Sequence, residues 1–502
     1  MSPSIVIPLT HALISEFLES NKYYNTLNEF RKEAKEGLED KNKIQLDRPL
    51  LSIIQDYVKK EAERLVSNER KIDEDLYSSK DTSYPRYICE TFSQIHNSNI
   101  LTINLQNVAS SSYVDNDYET TFSPTIITGS ADKTIKFTSL LTGDTFNTFD
   151  YHKGGVLAID FHPVRSNIML SASMDGSCAL TDVSTMDVKQ AFKDHQKPVV
   201  RAKFSPDGSM IVTAGYDHSL NFYKMDGSSN GSGANIFSPT TPHNSSNLLS
   251  PATPSTPLPL YSKVHTITFD SKIESLCFLP NSSFLIVGIR ESCYLHYINL
   301  QQDLFEITKY NMNLNGDDWV SFTAMDIVPS PNNDGKYLLV STDDENGRII
   351  LYKTFGDATN ATTNGNGVNH SSTTLIQIAN FYDEFITFSD DSYSSTLSRK
   401  LTNPRLLWHP SGNFFYSYGV DSIIRVYSLR TKKLVDQVKG HNDVVRGMWY
   451  DEDRDLLVTC GFDKSAKVWC SDELSSRELI KGLRSEEEEK IMMLGSRRNT
   501  IV

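Results

Sequence analysis

Histidine and aspartate recur along the chain as pairs with a nearly constant separation. Histidine precedes aspartate by 22 or 23 residues in three pairs: His152 and Asp175, His195 and Asp217, His441 and Asp463. An imidazole beside a carboxylate could perform general acid–base catalysis. We interpret these pairs instead as buried polar groups that satisfy each other's hydrogen bonds, because they recur at matching points of a repeated pattern.

Other chemical motifs are missing from the sequence. It contains no phosphate-binding loop, no HExxH and no Cys/His cluster with the spacing of metal ligands. One nucleophile-elbow spelling, from Gly227 to Gly231, falls in a Ser- and Gly-rich stretch and not between a strand and a helix. We therefore predict no catalytic residue, no metal and no cofactor.

The spacing of the aspartates reveals a repeat made of strands. Asp132, Asp175 and Asp217 stand 43 and 42 residues apart, and Asp421 and Asp463 are 42 apart. Short apolar segments lie before and after each aspartate, as in Leu456–Thr459 and Ala466–Trp469. A period near 42 residues that is built from strands is typical of a repeat array.

These repeats resemble the WD40 family, in which each repeat forms one four-stranded blade of a β-propeller. The resemblance implies a hydrogen-bonded structural tetrad of hydroxyl, imidazole, carboxylate and indole in the last repeat, at Thr459, His441, Asp463 and Trp469. The third repeat keeps Thr213, His195 and Asp217 but has Tyr223 in the indole position, and the first two repeats end at Phe137 and Leu180. These departures weaken the tetrad and leave the expected fold unchanged.

Seven blades are predicted between residues 83 and 470. We place them at 94–144, 151–187, 194–225, 261–300, 304–355, 374–430 and 434–470. A propeller closes when one terminus adds a strand to the blade at the other end, which removes the free edge. The segment Tyr87–Phe92 is expected to be that strand and to complete the blade that Trp469 ends.

Residues 1–35 have helical periodicity and differ in kind from the repeats. Two short amphipathic helices are predicted from their apolar positions: Leu13, Ile14, Phe17, Leu18, Tyr23, Leu27 and Phe30. The segment resembles the LisH motif, with Lys22 in place of the motif's glycine; Asn21 could take the left-handed turn instead. The resemblance implies a homodimer through these residues, and packing of the helices on the propeller within one chain is the alternative.

The remaining segments are predicted to be a helix, linkers and insertions. Residues 36–82 hold an amphipathic helix after Pro49 and then a linker, and 471–502 form a C-terminal tail. Insertions at 226–260 and 356–373 are too polar to fold and are expected to be disordered. The first contains five sites where Ser or Thr precedes proline, which are candidate phosphosites for proline-directed kinases: Ser238, Thr241, Ser250, Thr253 and Thr256.

Composition limits the choice of function. The net charge is −14 over 502 residues, which disfavours binding of nucleic acid. No run of 18 apolar residues predicts a membrane span, and the six cysteines lack CxxC spacing, so buried thiols in an intracellular protein, cytoplasmic or nuclear, are expected.

We therefore expect an all-β, seven-bladed WD40 propeller with a helical LisH element. Its expected role is a non-catalytic scaffold that dimerises and binds protein partners on the propeller faces. The resemblance implies a subunit of a ubiquitin ligase, a corepressor, a splicing complex or the dynein regulatory machinery. The alternatives are a nucleic-acid-associated regulatory subunit and an enzyme with an unrecognised site.

Overall fold

The computed structural model describes most of the propeller and part of the N-terminal helices. The described residues are 14, 15, 17–19, 22–33, 83–114, 117–226, 260–301, 305–314, 318, 320, 322–331, 335–343, 347–354, 375–382 and 404–472. The chain divides into two compact units, Met1–Lys71 and Ile72–Val502.

The N-terminal unit contains helix α1 (Tyr24–Glu33), which follows an earlier helical segment that reaches Glu19. Lys22 joins the two helical segments in a left-handed conformation, with φ of 62°. The Tyr23 N–H donates to the Leu18 carbonyl at 2.9 Å and the Lys22 N–H donates to the Glu19 carbonyl at 3.1 Å. This is the Schellman pattern of hydrogen bonds at the end of a helix. The left-handed residue is therefore Lys22 itself, at the position of the motif's glycine, and Asn21 lies outside the described residues.

The larger unit is a ring of seven antiparallel four-stranded sheets, which confirms the predicted seven-bladed propeller. Blade 1 contains β2 to β5, which are Ile100–Val114, Asp117–Ser130, Ile135–Ser139 and Thr145–Phe149. Blade 2 contains β6 to β9, which are Val156–Phe161, Ile168–Ser173, Cys178–Asp182 and Asp187–Phe192. Blade 3 contains β10 to β13, which are Val199–Phe204, Met210–Gly215, Ser219–Met225 and Tyr261–Thr268.

The next three blades have the same order of strands from the centre outward. Blade 4 contains β14 to β17, which are Ile273–Phe278, Phe284–Ile289, Tyr294–Asn299 and Ile307–Asn311. Blade 5 contains β18 to β21, which are Ala324–Pro329, Tyr337–Thr342, Ile349–Lys353 and Ile376–Phe381. Blade 6 contains β22 to β25, which are Arg405–Trp408, Phe414–Tyr418, Ile423–Ser428 and Lys433–Lys439.

Blade 7 closes the ring with strands from both ends of the propeller sequence. It contains β26 to β28, which are Val445–Asp451, Leu456–Gly461 and Ser465–Cys470, and its outer strand is β1 (Tyr87–Ser93). Tyr87 pairs with Cys470 and Phe92 pairs with Ala466. This pairing confirms the predicted closure, in which the N-terminal strand completes the last blade.

Cys89 and Cys470 form a disulfide across this closure, with Cα atoms 6.3 Å apart. The register of β1 shifts between Ile88 and Glu90, so Cys89 occupies a bulge beside Cys470. The expectation of thiols throughout is therefore wrong for these two residues. The other four cysteines, Cys178, Cys277, Cys293 and Cys460, are buried and free.

The blade boundaries differ from the predicted ones in a consistent way. Four strands complete blades 3, 4, 5 and 6, although the predicted bounds place each at the start of the following repeat: Tyr261–Thr268, Ile307–Asn311, Ile376–Phe381 and Lys433–Lys439. The repeat motif ends on the third strand, so the fourth strand resembles the start of the next repeat. The insertions at 226–260 and 356–373 consequently lie within blades 3 and 5, each between the third and fourth strands.

Apolar side chains fill the spaces between neighbouring sheets. One cluster joins Ile168 and Leu170 of blade 2 to Phe204 and Tyr223 of blade 3, and another joins Val426 of blade 6 to buried residues of blade 7. Because each blade buries both of its faces against its neighbours, the ring positions its polar turns rigidly.

Candidate interaction face

The candidate site lies at the end of the ring where the histidines are found. His195 precedes the first strand of blade 3, and Asp217 lies in the turn between the second and third strands of that blade. Because successive strands are antiparallel, these two places are at the same end of the blade. We call this end of the ring the histidine end, and the other the opposite end.

The four tetrad residues of blade 7 are joined in one hydrogen-bonded chain. The Trp469 indole N–H donates to the Thr459 hydroxyl oxygen at 2.8 Å, and Thr459 Oγ1 is 2.7 Å from His441 Nε2. His441 Nδ1 is 2.9 Å from Asp463 Oδ2. A carboxylate can only accept, so Nδ1 carries the hydrogen and Nε2 accepts from Thr459. Both ring nitrogens of this histidine are therefore used inside the blade.

Asp463 also holds the backbone of the turn around it. The N–H groups of Asn442 and Ser465 donate to its carboxylate at 3.0 and 3.1 Å. Burial alone would raise the pKa of Asp463, but the hydrogen bonds from His441 and Asn442 hold it well below its ordinary value. The carboxylate is thus a fixed anion that accepts from several donors.

Blade 3 reproduces three members of the tetrad. His195 lies 3.0 Å from Asp217 through Nδ1 and 2.8 Å from Thr213 through Nε2. Tyr223 occupies the indole position, and its hydroxyl donates to Asp194 at 2.8 Å. Burial would raise the pKa of Asp217, but hydrogen bonds from the Ser219 side chain and the Gln196 N–H lower it to about 2.

Blade 1 has a histidine that sequence reasoning missed. His96 contacts Asp132 at 3.0 Å and Thr128 at 2.9 Å, which matches the geometry in blades 3 and 7. Here histidine precedes aspartate by 36 residues because the β2–β3 hairpin is long. A different spacing could have identified His96. It stands four residues before the first strand of its blade, as His195 stands four before Val199 and His441 four before Val445.

Blades 2 and 6 replace parts of the arrangement. In blade 2, Ser177 Oγ lies 3.0 Å from His152 Nδ1, and the Asp175 carboxylate is 3.8 Å from the same atom. Burial lowers the pKa of His152 to about 4, with Asp175 opposing the shift. In blade 6, Asp421 pairs with Arg425 at 2.6 Å, so a guanidinium replaces the imidazole.

The first strands of the blades contact one another around the centre of the ring and carry a separate group of charged residues. Asp160 of blade 2 accepts a hydrogen bond from the Phe204 N–H of blade 3 at 2.8 Å, and Asp326 of blade 5 accepts from the Leu406 N–H of blade 6 at 3.0 Å. Burial raises the pKa of both carboxyl groups, and Lys203 and Arg201 respectively oppose the shift. These contacts join neighbouring blades at the central channel.

The remaining predicted site residues lie elsewhere. In the N-terminal unit Leu27 is buried at 3% exposure, Ile14, Phe17, Leu18 and Phe30 are half-buried, and Tyr23 is 55% exposed. Leu13 and the five candidate phosphosites, Ser238, Thr241, Ser250, Thr253 and Thr256, lie outside the described residues. Among the residues that are described, no group of His, Cys, Asp and Glu has an arrangement that could hold a metal ion, and no helix is long and apolar enough to cross a membrane.

Fold and site together define a seven-bladed β-propeller that contains WD40 repeats. The WD domain, G-beta repeat model matches residues 143–182, 186–224 and 432–470. The third of these ranges contains the complete tetrad of blade 7, and the second contains the three shared members in blade 3.

Short stretches of the chain are also similar to curated proteins. It is 31% identical over 93 residues to Topless-related protein 4 of Arabidopsis thaliana, which covers 18% of this chain and 8% of that protein. It is 34% identical over 106 residues to cleavage stimulation factor subunit 50 of the same plant, which covers 18% of this chain and 24% of that protein. The human angio-associated migratory cell protein is 32% identical over 66 residues, which covers 13% of this chain and 15% of that protein. The chain thus spans less than a quarter of the length of each of these relatives.

Proposed function

We propose that this protein is a non-catalytic scaffold whose histidine end binds protein partners within a larger complex. The observation that carries the proposal is the use of the candidate acid–base groups inside the blades. His441 and His195 each bind a hydroxyl and a carboxylate of their own blade. A histidine that is bonded at both nitrogens and buried is positioned to fix turns, and it is poorly placed to exchange protons with a substrate.

The turns that these tetrads fix are a surface suited to recognition. Each tetrad aspartate anchors the turn after the second strand and the residue after the histidine, as Asp463 does with Ser465 and Asn442. Loops on a rigid scaffold commonly carry binding residues. Exposed side chains lie at turns of this end, for example Met174 between β7 and β8 of blade 2, with 46% exposure.

We further propose that the N-terminal helices make the scaffold a homodimer. The proposal is supported by the LisH-like pattern and by the Schellman turn at Lys22, which sets the direction between the two helical segments. Tyr23 and Tyr24 expose 55% and 57% of their surface. Exposed aromatic side chains next to an apolar stripe are suited to a helix–helix contact.

Membership of a larger complex is proposed from the relatives' names alone. One relative is named as a subunit of a cleavage stimulation factor and another as Topless-related. A protein named as a subunit belongs to a larger assembly, and we propose the same for this chain.

A tagged pull-down with mass spectrometry tests the scaffold proposal. The wild-type chain should recover a reproducible set of proteins in near-stoichiometric amounts. A matched variant with exposed charges reversed at the histidine end, Lys133→Glu and Lys464→Glu, should recover less of that set than a variant with Lys224→Glu and Lys432→Glu at the opposite end. Equal recovery by all three proteins would contradict binding at the histidine end.

A further inference from the structure

Three inner strands place charged side chains at equivalent positions around the central channel. Arg201 on β10, Asp326 on β18 and Arg405 on β22 pair with Ala214, Ser341 and Tyr418, the matching residues of the second strands. Arg201 and Asp326 belong to blades 3 and 5, which are not neighbours. Their ion pair therefore crosses the centre of the ring.

One carboxylate serves two of these arginines. Asp326 Oδ1 lies 3.4 Å from Arg201 Nη2 and 3.5 Å from Arg405 Nη1. Its other oxygen accepts the Leu406 N–H at 3.0 Å. Both ion pairs are long compared with a charge-assisted hydrogen bond of about 2.8 Å. Asp326 therefore neutralises the two guanidinium groups only in part.

A third arginine adds to this positive charge. Arg446 occupies the bulge near the start of β26, between Val445 and Gly447, and is half-buried. Burial lowers its pKa and the neighbouring Arg201 lowers it further. No carboxylate among the described residues pairs with Arg446. Among these three guanidinium groups, Asp326 thus contacts two, and Arg446 adds a third positive charge.

The surrounding residues do not neutralise the excess positive charge of these arginines. Glu274 pairs with Arg290 at 2.6 Å and also accepts from the Tyr216 hydroxyl at 3.3 Å, so its charge is already matched. The ammonium group of Lys272 lies 5.2 Å from the centre of the Tyr216 ring. A local cationic site therefore exists in a chain whose net charge is −14.

We infer that Arg201, Arg405 and Arg446 form an anion-binding site at the mouth of the channel, which takes a carboxylate or phosphate group on a peptide of a protein partner. The inference rests on the proposed scaffold function and names the chemistry of its partner. Guanidinium groups bind both oxyanions through paired N–H donors. A peptide side chain fits a site on inner strands at the centre of a ring. A nucleic-acid duplex needs a broad cationic surface, and this chain is acidic overall.

The test is fluorescence anisotropy with labelled twelve-residue peptides and the full chain. The probes are a Glu-rich peptide, the same peptide with Gln for every Glu, and the Gln peptide with one phosphoserine. We expect the wild type to bind one or both anionic peptides and to bind the Gln peptide more weakly. Binding should weaken as salt is added. Equal affinity for the Glu-rich, phosphoserine and Gln peptides would overturn the inference. The ratio of the affinities for the two anionic peptides shows whether the site prefers carboxylate or phosphate.

Variants locate the site. Arg446→Gln removes the arginine that has no carboxylate partner, so it should leave the melting temperature unchanged or raise it. It should also lower the affinity for the anionic peptide by roughly tenfold to a hundredfold, as expected for the loss of a charge-assisted hydrogen bond. Lys433→Gln removes an exposed charge from outer strand β25 and should not change affinity. An Arg446→Gln protein that stays folded and binds as tightly as wild type would overturn the assignment. The pull-down result does not depend on this outcome, so the two proposals fail separately.

Discussion

His441 and Asp463 are 22 residues apart in sequence and 2.9 Å apart in the structure, and together they fix both turns at the histidine end of blade 7. The imidazole is buried and the carboxylate is 8% exposed. The same relationship recurs between His195 and Asp217 and between His96 and Asp132. It supports the shape of the face that we propose for partner binding.

Replacing Asp463 by alanine should destabilise the protein by about 1–3 kcal/mol, because the change leaves buried donors without an acceptor. The donors are the His441 imidazole and the N–H groups of Asn442 and Ser465. Urea denaturation of the variant measures the loss. Asp453→Ala, at an exposed position of the same blade, is the control and should change little. A midpoint for Asp463→Ala equal to that of the wild type would show that the tetrad does not stabilise blade 7.

Acidification should destabilise the propeller through His152 and His296. Burial lowers the pKa of each to about 4, below the ordinary value of 6.5. The unfolded chain then binds more protons than the folded one, so stability is full above about pH 6.5 and falls as the pH drops toward 4. The slope should be about 1.4 kcal/mol per pH unit for each histidine.

The histidine contribution is isolated by comparing variants. Denaturation from pH 4.5 to 7 should show a shallower slope for His296→Gln than for wild type. His265→Gln replaces an exposed histidine and should keep the wild-type slope. Asp160 and Asp326 have raised pKa values, so their protonation stabilises the folded protein as the pH falls, opposite to the effect of the histidines. This contribution is the same in all three proteins. Three identical slopes would contradict the role of His296.

Much of the propeller follows from the sequence, because each blade depends on local patterns. The number of blades and the closing strand Tyr87–Phe92 are such cases. The fourth strands are misassigned because the repeat motif ends on the third strand. In blade 3 the insertion at 226–260 also separates β13 from its partner β12, although Tyr261 pairs with Met225 across that gap. His96 was missed because a long hairpin changes the spacing to Asp132.

The arginine site at the channel could not be predicted from the sequence, for a different reason. Arg201 and Asp326 are 125 residues apart and belong to blades that are not neighbours. Only the closed ring brings them together, and no periodicity relates an arginine in one repeat to an aspartate in another. Lys22 shows the same limit on a local scale: glycine is the usual left-handed residue, yet the hydrogen bonds of the Schellman turn hold lysine in that conformation.

Replacing Phe17 and Phe30 by aspartate should convert the proposed dimer to a monomer. Both side chains are half-buried on the apolar side of the helices, and burial of each contributes roughly 1.5–3 kcal/mol. Light scattering at micromolar concentration measures the molar mass of each protein in solution. Asn25→Asp/Asn28→Asp adds the same charge on the exposed side of α1 and should stay dimeric. A monomeric wild type would end the dimer proposal.

Phosphorylation of the insertion at 226–260 should change partner recovery without changing the fold. The Asp226 N–H donates to the Leu260 carbonyl at 2.8 Å, so the insertion leaves and rejoins blade 3 at adjacent points. These points lie at the opposite end of the ring, because β12 runs away from the Asp217 turn. Exposed charges act over about 8 Å at physiological salt, so the change should concern partners that extend from the histidine end to the opposite end.

Two variants separate phosphorylation from loop length. Deletion of residues 228–257 removes the insertion, and alanine at Ser238, Thr241, Ser250, Thr253 and Thr256 removes only the candidate phosphosites. Alanine at Ser228, Ser229, Ser232, Ser245 and Ser246, which do not precede proline, is the matched control. Pull-downs with mass spectrometry should show a change for the first two variants only. Identical partner recovery by all of them would reduce the insertion to a passive loop.

The central claim is that partners bind the histidine end of the ring, and cross-linking mass spectrometry on the recovered complex tests it most directly. Lys133, Lys153 and Lys464 lie in turns of the histidine end, whereas Lys224, Lys336 and Lys432 lie at or beside turns of the opposite end. We expect amine-reactive cross-links between partner proteins and the first three lysines. Cross-links confined to Lys224, Lys336 and Lys432 would contradict the account.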